Sequence, residues 1–168
     1  MDKKELIKQA ERLKGCNPGL QQLKECKSVD ELINCFYDRI DFCLAHNFPS
    51  REYVKKHYQA EAEKAGIYID RKWRFSNPNT LVLLGKSDVE IEFDEYTVSR
   101  LYVKHDTQLT IIATGNAFVV VDALDDSNVR VFLSDNARVI GNVYGNADCI
   151  GATRINKKHR DTYDLQTE

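Results

Sequence analysis

Apolar and polar residues alternate along the second half of the chain, and the alternation itself recurs every twenty residues. Residues 109–128 and 129–148 lie over each other without a gap, CIGATRI from Cys149 starts another copy, and residues 89–108 fall into the same register. Period-two alternation places the odd positions on one face of each strand. They are Val89, Ile91 and Phe93, then Leu109, Ile111 and Ala113, then Val129, Val131 and Leu133 in one segment. The other segment supplies Thr97, Ser99, Leu101 and Val103, then Ala117, Val119, Val121 and Ala123, then Ala137, Val139, Gly141 and Val143. A short repeat of this kind cannot bury its apolar face alone and does so only by stacking on its neighbours. The pattern predicts a β-solenoid, a single-stranded β-helix, with coils of about 20 residues stacked roughly 4.8 Å apart.

Two turns separate the strands of each coil. Tyr96, Asn116 and Asn136 align at one, beside Glu95, Gly115 and Asp135; Asp106, Asp126 and Asn146 align at the other. Asn, Asp and Gly accept left-handed backbone and bond their own turns, so these columns read as structural. A cation shared by Asp106 and Asp126 is the alternative, because stacked carboxylates repel unless they splay apart or hold an ion.

The first 66 residues follow a helical rhythm instead. Leu6, Ile7, Ala10 and Leu13 share a face, CNPGL breaks the helix, and Leu20, Leu23 and Cys26 mark a short second one. Ser28 followed by Glu31 is a capping box. After it, Leu32, Ile33, Phe36, Ile40, Cys43 and Leu44 predict one helix ending near His46, and Val54, Tyr58, Ala62 and Ala65 predict another from Arg51 to Gly66. The expected fold class is therefore α+β, N-terminal helices followed by a short β-solenoid. Residues 1–66 form a helical unit, 67–80 a capping linker around Trp73 and Pro78, 81–155 the solenoid, and 156–168 a polar tail.

Charge divides along the same line. Residues 1–76 carry 15 Lys and Arg against 12 Asp and Glu, a net +3, whereas residues 77–152 carry 5 against 11, a net −6. An acidic solenoid is poorly suited to a nucleic-acid backbone. The five cysteines form no CxxC pair and fit buried, reduced thiols. The N-terminal MDKKELIKQ lacks an apolar signal core, and no segment reaches the roughly twenty apolar residues that span a bilayer. A cytoplasmic location without a membrane partner is expected.

The outward positions of the solenoid are unusually apolar. Phe118, Val120 and Leu124 lie outside one coil, Ile140 and Tyr144 outside the next, and Ile112 and Phe132 form a further pair. Contiguous apolar surface usually marks an interface, covered by the helices, by a second copy of the chain in a homo-oligomer, or by another protein. Arg100, Arg130 and Arg138 are candidates to meet a small anionic ligand, although each also reads as an ordinary surface arginine. His46, His57, His105 and His159 sit in no catalytic or metal-binding motif, so no catalytic residue, metal or cofactor is expected. A solenoid-based transferase or glycan-active enzyme is the third reading, weakened by a repeat longer than the roughly 18-residue coils of hexapeptide acyltransferases. The basic cluster RINKKHR at 154–160 reads as a solvated tail.

The turns GNA, DNA and GNA at 115–117, 135–137 and 145–147 resemble the GNAxV-type repeats of phage and bacterial solenoid proteins. With FCLAHNFPS (42–50) and AGIYID (65–70), the chain is similar to small proteins of gut Bacteroidetes and their phages. That resemblance implies a mobile-element setting and carries over no catalytic residue.

Overall fold

The computed structural model describes residues 3–158, which form two compact units divided between Ala65 and Gly66. The first consists of helices α1 (Lys3–Arg12), α2 (Asn17–Glu25), α3 (Val29–Asp38), α4 (Ile40–His46), α5 (Arg51–His57) and α6 (Gln59–Lys64). Leu6, Leu23, Leu32, Ile33, Leu44, Val54 and Ala62 are buried. The Ser28 hydroxyl caps α3 by accepting from the Glu31 amide at 3.1 Å, while the Glu31 carboxylate takes the Lys27 amide, one residue earlier than a standard capping box. Two of the expected helices are interrupted. The stripe from Leu32 to His46 breaks at Arg39, and the one after Arg51 breaks at Tyr58, where the backbone leaves the helical region (φ −127° and −158°). Neither break removes an apolar residue from the inner face, so the periodicity runs across both.

The second unit is a solenoid of parallel strands. Its strands are β1 (Ile67–Ile69), β2 (Lys72–Ser76), β3 (Thr80–Leu84), β4 (Asp88–Phe93), β5 (Val98–Val103), β6 (Gln108–Ala113), β7 (Phe118–Ala123), β8 (Asn128–Leu133), β9 (Arg138–Val143), β10 (Asp148–Ile150) and β11 (Arg154–Lys157). They form two sheets: sheet A in the order β1-β3-β5-β7-β9-β11, and sheet B in the order β10-β8-β6-β4-β2. Between coils the register steps by 20 residues, as in Leu101↔Val121↔Gly141 and Leu109↔Val129↔Cys149. The inward columns are the predicted ones except at Leu133, which is 37% exposed at the end of its strand, and they bury a continuous core from Leu81 to Cys149.

The stretch 67–80 is not a capping linker. It forms β1 and β2, which pair with β3 and β4 as a shorter first coil: Ile67 lies opposite Val82 and Lys72 opposite Asp88. The tail begins later than expected as well, because β11 carries the last coil to Lys157, and residues 159–168, including His159, lie outside the described residues.

Left-handed residues turn the chain at every corner, in two stacked columns. One runs Asp70, Gly85, His105, Asp125 and Gly145; the other runs Asn77, Glu95, Gly115 and Asp135, while Gly151 turns the shorter last coil against Val131. Glycine at 115 also makes room: a Cβ there would lie 2.9 Å from the Glu95 amide nitrogen of the coil above. Side chains tie the columns together, since Asp135 accepts from the Gly115 amide at 3.1 Å and His105 Nδ1 from the Gly85 amide at 3.2 Å. One of these corners ends in buried hydroxyls, Ser87, Thr107 and Ser127, each donating to a backbone carbonyl.

Candidate functional site

The solenoid separates the outward candidates into three places. Sheet A projects two columns from the N-terminal halves of its strands: Val98, Phe118 and Arg138, then Thr80, Arg100, Val120, Ile140 and Arg154. Strand alternation fixes their direction and the 20-residue register makes them neighbours. Val98 is 68% exposed and Phe118 36%; Val120 and Ile140 are half-buried beside them. Tyr96, exposed on the adjoining corner, extends the apolar strip. Leu124 and Tyr144 also leave sheet A outward, but at the far ends of their strands, where both are buried. They take no part in the exposed strip.

Ile112 and Phe132 are paired on sheet B, with Phe132 59% exposed. Arg130 lies on the same face, between Thr110 and Ile150. The three arginines thus do not converge: Arg100 and Arg138 belong to sheet A, Arg130 to sheet B. Elsewhere on sheet B, Lys72 meets Asp88 at 3.0 Å and Arg74 meets Glu90 at 3.3 Å, exposed pairs that add little stability.

Arg100 is held in place by a polar ladder that the sequence reading missed. Its Nη2 donates to Asp122 Oδ2 at 2.9 Å; Asn142 Nδ2 donates to Asp122 Oδ1 at 2.8 Å; Asn156 Nδ2 donates to Asn142 Oδ1 at 3.0 Å. Asp122, Asn142 and Asn156 form one column of sheet A, stepping from coil to coil. Asp122 is only 1% exposed, and its two oxygens each take a bond that offsets the loss of water. The guanidinium also lies 5.2 Å from the centre of the Tyr102 ring. The available signal was an Asp inside the apolar run VVVDAL with an Asn twenty residues later.

Charges flank the sheet A strip on both sides. Asp94, Glu95 and Asp135 occupy the corner before Val98, Phe118 and Arg138, while Arg100 and Arg154 lie in the column beyond. The order acid, apolar residue, arginine crosses the face in one coil, Glu95–Val98–Arg100; the next coil has Gly115, Phe118 and Val120 there, and the one after has Asp135, Arg138 and Ile140.

The His46 ring packs on Phe42 and the His57 ring on Tyr53, with centroids 4.7 and 4.3 Å apart. Among the described residues no group of three or more His, Cys, Asp and Glu side chains could hold a metal ion, and no helix is long and apolar enough to cross a membrane. Asp126 accepts from Asn146 Nδ2 at 3.2 Å. Burial raises the Cys35 and Cys149 thiols to about 11, which keeps them protonated and poorly nucleophilic at neutral pH.

No family model, curated protein or solved structure matches the chain.

Proposed function

We propose that the protein is a non-enzymatic assembly module that pairs with a second copy of itself through the outer face of sheet A. The observation that supports this reading is the strip of Tyr96, Val98 and Phe118, exposed in adjacent coils and continuous with Val120 and Ile140. Its flanking charges favour self-association. A two-fold axis parallel to the stacking direction reverses left and right and keeps the coil level, so Glu95 of one copy comes to face Arg100 of the other. An isologous interface needs this self-complementarity. The apolar strip then lies at the centre and the ion pairs at the rim, the usual anatomy of a protein interface.

The strip is small beside the roughly 800 Å² per partner of a stable interface, so association in the micromolar range is expected. Light scattering over a dilution series tests the proposal: mass should rise from monomer to dimer with concentration. A constant monomer mass up to the highest soluble concentration would sink it.

A further inference from the structure

The helical unit contains a cavity of about 180 Å³ whose wall is mostly apolar, with Leu20, Leu23, Leu32, Phe36, Phe42 and Phe48 among its lining. Every lining residue comes from the segment between Ala10 and Pro49, so the cavity belongs to this unit alone. The break between α3 and α4 supplies its one cationic side chain. Arg39 interrupts the helix and lines the cavity, and Gly19 leaves room beside it, because a Cβ at 19 would lie 3.5 Å from Arg39 Nε.

That nitrogen is buried and has no hydrogen-bond partner. The same guanidinium reaches the Asp38 carbonyl through Nη1 only at a long 3.4 Å. A buried guanidinium N–H without an acceptor is unfavourable, and the space next to it is where an acceptor would sit. The acidic neighbours Asp38 and Asp41 also line the wall, and Asp38 accepts from Gln22 Nε2 at 2.6 Å. Their negative charge favours a neutral acceptor over an anion.

We propose that this cavity binds a small, mostly apolar molecule whose carbonyl oxygen accepts from Arg39 Nε. Size supports a single ring or a short chain, because a dry cavity of about 150 Å³ takes up benzene. The inference is independent of the pairing through sheet A, which uses the other unit.

Acetophenone and ethylbenzene are suitable probes: they are close in shape and differ by the oxygen. Binding to the full chain is measured by calorimetry and by alkylation of Cys16, which lines the cavity and is the one exposed thiol of the five. Acetophenone should bind with a Kd of roughly 0.1–1 mM, slow the alkylation of Cys16, and bind about tenfold more tightly than ethylbenzene. Arg39→Met should abolish that preference. Gly19→Ala, whose methyl would lie 3.3 Å from Cys16 Sγ and 3.5 Å from Arg39 Nε, should weaken acetophenone several-fold by calorimetry and keep the helical circular dichroism. The proposal is overturned if acetophenone does not bind, if the two probes bind equally to the natural chain, or if neither substitution changes the preference.

Discussion

One inward position departs from the repeat and can be used to test the packing quantitatively. The column Leu101, Val121, Gly141, Ile155 holds a glycine where its neighbours carry branched side chains. A Cβ on Gly141 would lie 2.8 Å from Cys149 Sγ and 3.4 Å from Cys149 Cβ, so the thiol occupies the missing side chain's place. Gly141→Ala should therefore do two opposing things. Removing a mid-strand glycine gains about 0.5–1 kcal/mol by restricting the unfolded chain. Forcing a methyl against a sulfur that is 2% exposed loses about 1–3 kcal/mol through overpacking. The net expectation is a destabilisation of about 0.5–2 kcal/mol. In a Cys149→Ala background the sulfur is gone, and the same substitution should stabilise by about 0.5–1 kcal/mol. The coupling between the two sites is then about 1–3 kcal/mol, well above the few tenths expected of independent positions. Urea unfolding of the four chains, followed through Trp73, the single tryptophan and a solenoid residue, measures it. If Gly141→Ala shifts stability equally in both backgrounds, the sulfur does not fill that space and the packing is wrong.

Other substitutions test separate parts of the account. Val131→Asp places an unpaired carboxylate at an inward site and should unfold the solenoid, whereas Arg130→Asp, one residue away and outward, should change stability by no more than about 0.5 kcal/mol; circular dichroism separates the two, and equal effects would refute the register. Ser99 carries a buried hydroxyl without a partner in a column otherwise made of Val119 and Val139, so Ser99→Val should stabilise by about 1–2 kcal/mol in urea. Burial lowers the Lys104 ammonium below its ordinary 10.5, against the opposing pull of Asp125. Between the lowered value and 10.5 the unfolded chain binds the proton more readily, so stability from this group rises with pH in that window. Lys104→Met should lose that rise and be at least as stable at neutral pH, as read from denaturation midpoints across pH.

The solenoid was legible because its signal is periodic twice over. Alternation separates Val119 from Val120, and the 20-residue step places Val120 beside Ile140. The first coil escaped because it is shorter: Ile67 and Val82, or Lys72 and Asp88, are partners at smaller separations than any later pair in the same sheets apart from the β9–β11 step. Trp73 and Pro78 made the segment look like a cap. The breaks at Arg39 and Tyr58 carry no Pro or Gly, so the helical stripe hides them. Of the outward candidates, alternation identified the direction of Phe118 and of Leu124 alike, but direction does not determine exposure, and Leu124 is buried. The helical cavity could not be foreseen from the sequence, since its lining brings together Gly19 of α2, Arg39 at the break between α3 and α4, and Phe48 after α4.

The two exposed phenylalanines on opposite sheets allow the most direct test of function. Sedimentation velocity of Phe118→Glu and Phe132→Glu, compared with the natural chain at the same concentrations, separates a sheet A interface from a sheet B one. The account predicts a monomer for Phe118→Glu and an unchanged monomer–dimer equilibrium for Phe132→Glu. Dissociation by Phe132→Glu with Phe118→Glu still dimeric would contradict it.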